Sequence, residues 1–216
     1  MKRMARVVRM LVAVMVCGAS AAQAQTSAAP ARYAQFDIAA TLGHKSDSSV
    51  GGEVGFTFRP NLDVFFEGGH IGNAASSDMD QGATRIANNV GATANAIAKV
   101  NFFDVGVRYR FMPSPRFHPY AAIGIGAAHV TNQTTFSVNG TVVPESSLGI
   151  QSGVDLNGSE TKAFLMLGVG TTIPFKTRYL FDVSYRFGGV LGAANALNGT
   201  STLATNRIQL GIGLNF

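Results

Sequence analysis

The chain has little of what usually staples or anchors a protein. One cysteine, Cys17, occurs in 216 residues, and there is no tryptophan. Cys17 falls inside an N-terminal stretch with the marks of a secretion leader. Lys2, Arg3, Arg6 and Arg9 give it a positive start, Met10 to Val16 an apolar centre, and Ala22-Gln23-Ala24 a small-x-small cleavage site. Residues 1–24 are therefore expected to be removed, with Gln25 the first residue of the mature chain. A lipid-modified Cys17 needs a small residue before it, and Val16 is not small. Once the leader is gone no cysteine remains, so a disulfide framework is excluded.

Charge is also scarce, at 13% of residues. The formal net charge of +5 comes mostly from the leader, which holds four of the 17 bases and none of the 12 acids. The remaining 13 bases and 12 acids nearly cancel, which removes any argument for a nucleic-acid partner. After the leader no stretch of about 18 apolar residues exists, so a membrane-spanning helix is excluded. Yet 46% of the chain is hydrophobic, with 15 Phe and 25 Gly. Low charge and apolar residues without a long run suit membrane strands.

Those residues alternate with period two. Strands are expected near Arg32–Leu42, Val50–Arg59, Leu62–Ile71, Val100–Met112, Tyr120–Val130, Ala163–Ile173, Tyr179–Gly188 and Thr205–Phe216. In the last, Ile208, Leu210, Ile212, Leu214 and Phe216 share one side, while Arg207, Gln209, Gly211, Gly213 and Asn215 share the other. Phe36 and Ile38, Val54 and Phe56, Phe103 and Val105, Ile123 and Ile125, and Phe181 and Val183 mark the outward rows elsewhere. Phe65 and Met166 point inward in this register. The connections alternate in length. Arg59-Pro60-Asn61, Pro113–Arg116 and Pro174–Thr177 are short and carry Pro, which fixes a turn. Gly72–Lys99, Thr131–Lys162 and Gly189–Ala204 are long, and Gly43–Ser49 is intermediate. Short turns on one side and long loops on the other, with an even strand number, describe an all-β, eight-stranded antiparallel up-and-down transmembrane β-barrel. Phe58, Phe111, Tyr120, Phe175 and Phe216 collect near the short turns, as an interfacial aromatic girdle does.

If the apolar rows face lipid, the opposite rows meet in the lumen. They carry Asp37, Glu53, Glu67, Asp104, Arg108, Arg110, Asp182, Arg186 and Arg207. Phe103-Asp104-Val105-Gly106-Val107-Arg108 and Phe181-Asp182-Val183-Ser184-Tyr185-Arg186 each put an acid and a base four residues apart on one face. Because these strands are antiparallel, Asp104 is expected level with Arg186 and Asp182 level with Arg108. The spacing predicts an interleaved charge network whose role is structural. Eight strands leave an interior that side chains nearly fill. Inward Gly106, Gly124, Gly126, Gly168, Gly170, Gly211 and Gly213 would make room for the guanidiniums.

The long loops are rich in Asn, Ser, Thr and Gly. Phe136–Val143, with Asn139-Gly140 at its tip, reads as a hairpin beyond the membrane. The Ala-rich stretch Gln81–Lys99 suggests a short helix over the mouth. Rigid barrels bind through such exposed loops.

The stretches Pro119-Tyr120-Ala121-Ala122-Ile123-Gly124-Ile125-Gly126 and Asp182-Val183-Ser184-Tyr185-Arg186-Phe187, with the leader, the alternation and the terminal aromatic, resemble the small outer-membrane β-barrel proteins. That group includes the barrel domain of outer membrane protein A, the opacity-type adhesins and the "porin family" chains. The resemblance implies the bacterial outer membrane and a structural or surface-interaction role through the outer loops. It implies partners: outer-membrane lipid and lipopolysaccharide, host or cell-surface molecules, and the periplasmic chaperones and insertion machinery that would recognise Phe216. Outer membrane protein A continues into a wall-binding domain and this chain does not, so wall anchoring is not expected. A narrow low-conductance pore is the alternative function. A lipid A-modifying barrel enzyme is the third. His129-Val130-Thr131-Asn132 is similar to the His-x-Ser-Asn stretch of barrel deacylases, with Thr131 where the nucleophilic Ser belongs and only Glu145 as a nearby acid. No catalytic residue, cofactor or metal site is expected. His44, His70, His118 and His129 lack ligand spacing.

Overall fold

The computed structural model describes residues 32–111, 117–150, 156–175, 178–195 and 199–216. The expected leader and the Pro113–Arg116 turn lie outside them. The chain runs β1 (Arg32–Leu42), β2 (Ser48–Arg59), β3 (Leu62–Ile71), α1 (Ser77–Asn89), β4 (Thr93–Arg110), β5 (His118–Val138), β6 (Thr141–Val143), a 3-10 turn (Glu145–Leu148), β7 (Gly158–Phe175), β8 (Tyr179–Asn195) and β9 (Gly199–Asn215). All pairings are antiparallel, in the order β4-β3-β2-β1-β9-β8-β7-β5, and a β4–β5 ladder closes the ring. Its seam is tied by Phe216 N–H to Arg32 O at 2.8 Å and Arg32 N–H to Phe216 O at 3.1 Å. β6 is a short arm on the far end of β5, outside the ring of eight. No helix among the described residues is long and apolar enough to cross a membrane.

The two faces of the ring match the alternation. Phe36, Ile38, Val54, Phe103, Ile125, Val169, Leu210 and Ile212 are each more than a third exposed on the outer wall, while Phe65 and Met166 are fully buried inside. A protein in water would not display that continuous apolar wall; in lipid it lies in its preferred solvent.

The strands outrun the alternation in hydrophobicity. β4 begins at Thr93 rather than Val100, and β5 continues to Val138 rather than ending at Val130, with Thr93 opposite Ser137. β8 and β9 likewise extend to Asn195 and from Gly199. Above the membrane both faces meet water or protein, so the contrast that marks a strand in sequence fades while the backbone ladder continues. Part of each of the three expected long loops is therefore strand, and most of Gly189–Ala204. β7 also takes in Pro174 and Phe175, expected in a turn. β5 stops pairing with β7 at Thr172. Pro174 lies beyond that last described pair, near the strand end, where a residue without N–H is tolerated.

Helix α1 is earlier than expected: Ser77–Asn89, not Gln81–Lys99. Ser76 caps it, accepting from Met79 N–H, and Asp78 and Asp80 sit in its first turn, where acids suit the helix dipole. Met79, Ala83 and Ala87 recur every four residues on its buried face. It ends where Gly91 turns with φ +67°. Ala94, Ala96 and Ala98 have good helix propensity but lie in β4, because the long ladder with β5 outweighs a few tenths of a kcal/mol per residue, roughly, of intrinsic preference. Asn139 (φ 51°) and Gly140 (φ 81°) form the two-residue tip joining β5 to β6, as a primed hairpin turn requires.

Candidate functional site: the filled lumen and its mouth

Inward positions of the strands place Asp37, Glu53, Glu67, Asp104, Arg108, Asp182, Arg186 and Arg207 inside the ring, each at most 3% exposed; Arg110 is at its lower end. Two glutamates organise them. Glu53 on β2 accepts from Tyr33 Oη at 2.6 Å and from Arg108 through Oε1, and from Arg186 on β8 at 2.9 Å through Oε2. Glu67 on β3 accepts from Arg207 on β9 at 3.2 Å and lies 3.9 Å from Arg186 Nε. Arg110 pairs with Asp63 at 2.9 Å, an acid that sequence reasoning did not single out.

The levels expected from strand direction do not become the pairs. Arg108 and Arg186 turn to Glu53 instead of Asp182 and Asp104. Asp182 accepts from Tyr120 Oη at 2.8 Å and Thr172 Oγ1 at 3.1 Å. Asp37 accepts from Gln35 at 2.9 Å. Neither carboxylate oxygen of Asp104 has a hydrogen-bond partner among the described residues. A long guanidinium reaches across the lumen, so height alone does not choose its acceptor.

Tyr120 also departs from the expected girdle. It faces inward, 2% exposed, with the Arg108 guanidinium 4.1 Å from its ring centroid. Phe58, Phe175 and Phe216 do lie outward and exposed near the lower rim, and Phe111 packs edge-on to Tyr109 at 5.2 Å. Of the inward glycines, Gly168 makes room for Arg186 and Gly211 for Asp37: a Cβ there would stand 2.8 and 2.5 Å from those side chains. At Gly126 it would instead meet the Phe103 backbone and at Gly213 the Ala34 carbonyl, so these two admit a neighbouring strand, not a guanidinium.

Towards the long-strand end the filling changes. Ile71, Val100, Phe102, Val130, Phe164, Val190 and Leu203 point inward and form one apolar cluster, with Phe102 and Phe164 rings 5.4 Å apart. Met79 of α1 and Ala75 before it join that cluster from above. The loop between β1 and β2 ties α1 down. Lys45 Nζ donates to Asp80 Oδ1 at 2.7 Å, to Asn95 Oδ1 at 2.8 Å and to the Ala96 carbonyl at 2.8 Å, while His44 Nε2 lies 3.1 Å from Asp80 Oδ2. Partial burial pushes the Asp80 carboxyl up, but the hydrogen bonds from Lys45 and His44 outweigh it and hold it below the usual carboxylate range. The Ala-rich pattern pointed to a helix here; its tether had no sequence signal.

His129 and Thr131 share the outer face at the top of the barrel wall. His129 Nδ1 is 2.9 Å from Thr161 Oγ1, and no carboxylate is hydrogen-bonded to His129 among the described residues. A nucleophile, base and orienting acid are thus not brought together there. No group of three or more His, Cys, Asp or Glu among the described residues can hold a metal ion.

A closed ring with a greasy exterior, an ion-paired interior and elongated strands at one end defines a transmembrane β-barrel of the bacterial outer membrane. The chain belongs to the outer membrane protein beta-barrel domain family, whose model matches residues 10–216. Among solved structures it is similar to outer membrane protein OprG from Pseudomonas aeruginosa, with 13% identity, TM-score 0.54, and coverage of 90% of this chain and 99% of that one. Neisserial surface protein A matches with 13% identity, TM-score 0.50, and coverage of 89% and 100%. Ail, the attachment invasion locus protein of Yersinia pestis, matches with 16% identity, TM-score 0.47, and coverage of 87% and 99%. At these identities the likeness concerns the fold. No curated protein matches the chain in sequence.

Proposed function

We propose that the barrel is a membrane anchor which displays its elongated outer strands and their connections to other molecules at the cell surface. One observation carries this: the lumen is occupied along its length, by ion pairs below and by an apolar cluster roofed by α1 above. A barrel closed in this way supports no diffusion path and so argues against the narrow pore. What it offers instead is a rigid platform. The β5–β6 hairpin and the 3-10 turn rise from it around a cleft of about 450 Å³ lined by Thr134, Phe136, Val143, Glu145 and Asn157. Polar side chains on a held backbone suit recognition of a host or cell-surface molecule.

The test has two arms. Purified protein in planar bilayers should give no reproducible channels. Replacing residues 133–156 by a short turn should abolish attachment of bacteria to host cells while leaving the amount of barrel in the outer membrane unchanged. Regular ion-selective conductance, or attachment indifferent to that replacement, would count against the anchor function. Delivery is part of the same proposal: the chain passes the periplasm bound to chaperones, and Phe216 is read by the insertion machinery. Phe216→Ala is expected to lower the yield of heat-modifiable barrel in the outer membrane; an unchanged yield would remove Phe216 from that role.

A further inference from the structure

The barrel wall changes character abruptly on one side. Along β4 and the residue after it the outward apolar residues run from Phe103 to Phe111, nine positions, and along β5 and the residue before it from Phe117 to Ala127, eleven. A tilted strand needs roughly 9–11 residues to cross the hydrocarbon, so the outer lipid boundary falls just beyond Phe103 and Ala127. The next outward residues are Asn101 and His129, directly opposite one another, flanked in register by His70 on β3 and Thr161 on β7. His70 Nδ1 is 2.8 Å from Asn101 Oδ1. One step further out, Lys99 stands opposite Thr131, which in turn stands opposite Ser159 on β7. His129, Asn101 and Lys99 are all exposed.

This row has no counterpart across the barrel. At the same end, the outward residues of β1, β2, β8 and β9 include Ala40, Leu42, Val50, Leu191 and Asn206, and among the described residues none is charged. Every strand carboxylate among the described residues, by contrast, takes an inward position, Glu160 included. The outer wall at this level thus presents cationic and protonatable groups with no acid beside them, confined to the β3–β4–β5 side. Phosphate is the anion that lies at that depth in an outer membrane. The hydroxyls of Thr131, Ser159 and Thr161 and the amide of Asn101 interleave with the cations, a mixture that suits a sugar bearing phosphate better than a bare phosphodiester.

We infer that His70, Lys99 and His129 form a binding site for the phosphorylated sugar headgroup of a lipid A-type glycolipid in the outer leaflet. The inference rests on the orientation that puts the elongated strands outside, and it does not depend on whether the loops bind a host molecule. Lys99 supplies the fixed charge, and the two imidazoles flank it one strand to either side, about 5 Å apart from strand to strand. The acyl chains then lie against the apolar wall below, beginning at Phe103 and Ala127.

The full chain, folded into phosphatidylcholine nanodiscs doped with bisphosphorylated lipid A, should retain lipid A through repurification, read by native mass spectrometry. The variant Lys99→Gln/His129→Gln should retain it roughly tenfold less, equivalent to about 1.4 kcal/mol. These side chains are exposed, so the variant should still show the heat-dependent gel shift of a folded barrel. Leu42→Gln, on the opposite side, should leave retention unchanged and shows that the loss is local. Equal retention of lipid A by the double variant, or of dephosphorylated lipid A by the unaltered protein, overturns the site. Retention of phosphatidylglycerol as strong as that of lipid A also overturns it, because it would reduce the row to a general attraction for anionic lipid. If Lys99→Gln/His129→Gln fails to fold, His70→Gln and Lys99→Gln tested singly must each lower retention.

Discussion

Inside the barrel, the half from Asp104 downwards holds paired guanidinium and carboxylate groups packed around Tyr33, Phe65 and Tyr120; the half from Phe102 upwards holds mainly aliphatic and aromatic side chains. Both halves exclude bulk water, but they constrain the fold differently. Glu53 ties β2 to β4 through Arg108 and, across the lumen, to β8 through Arg186. Glu67 ties β3 to β9 through Arg207. These bonds are directional and join strands that are not neighbours. A one-residue slip of any of them would turn charges to lipid, at about 2–4 kcal/mol for an Arg near the midplane. The apolar half has no such directionality. Ile71, Val130 or Val190 would pack nearly as well after small displacements. The lower half therefore sets register, and the upper half seals the mouth and gives α1 a surface to rest on.

The largest effect is expected where one group serves two partners. Glu53→Ala leaves Arg108 and Arg186 buried without their carboxylate, and should lower unfolding stability by about 3–5 kcal/mol, measured by urea titration in lipid vesicles. A loss under 1 kcal/mol would mean that the ionic half does not hold the register. Ile71→Ala tests the other half. It removes apolar volume and leaves the ion pairs intact, for a cost of about 2–3 kcal/mol. The double variant should show near-additive losses, since the two sites share no partner. Strong coupling between them would erase the distinction between the halves.

How much of this was legible in sequence follows the same division. Within the membrane, one face meets hydrocarbon and the other meets charge, so Phe103-Asp104-Val105 and Phe181-Asp182-Val183 announce their orientation. The ring of eight and the inward placement of charge rest on that contrast. Partner choice does not. Whether Arg186 turns to Asp104 or to Glu53 depends on side-chain reach across a lumen whose shape no local pattern encodes. Tyr120 sits near a short turn among girdle candidates, yet its even position on β5 puts it with Ala122 and Gly124, facing in. That parity was the available signal. Above the membrane the contrast disappears, and residues 93–99 and 131–138 read as loop although they are ladder. α1 was displaced for a related reason: Ala is compatible with both helix and strand, and only the Ser76 cap and the Met79, Ala83, Ala87 spacing distinguish the true start.

The smallest effect concerns the junction between the two kinds of filling and the outside. α1 contributes Met79 to the apolar cluster but is held by polar contacts at Lys45 and His44. Lys45→Ala should cost only about 1 kcal/mol, as one partly exposed ion pair with its hydrogen bonds does, and should leave the urea midpoint of the barrel nearly unchanged. Its signature should be local: faster amide hydrogen exchange over residues 79–87, with β3 and β4 below Phe102 unaffected. Acid should act in the same direction. The Asp80 carboxyl titrates below its usual range when α1 is docked, so docking is stabilised wherever the undocked carboxyl is ionised and weakens as pH falls through the lowered value. Protection of α1 should thus decline below about pH 4, the ordinary carboxylate region. In Asp80→Asn that decline should vanish. If instead protection of the lower strands fell in step with α1, the roof and the ionic half would be a single cooperative unit, and the boundary drawn at Asp104 would have no energetic meaning.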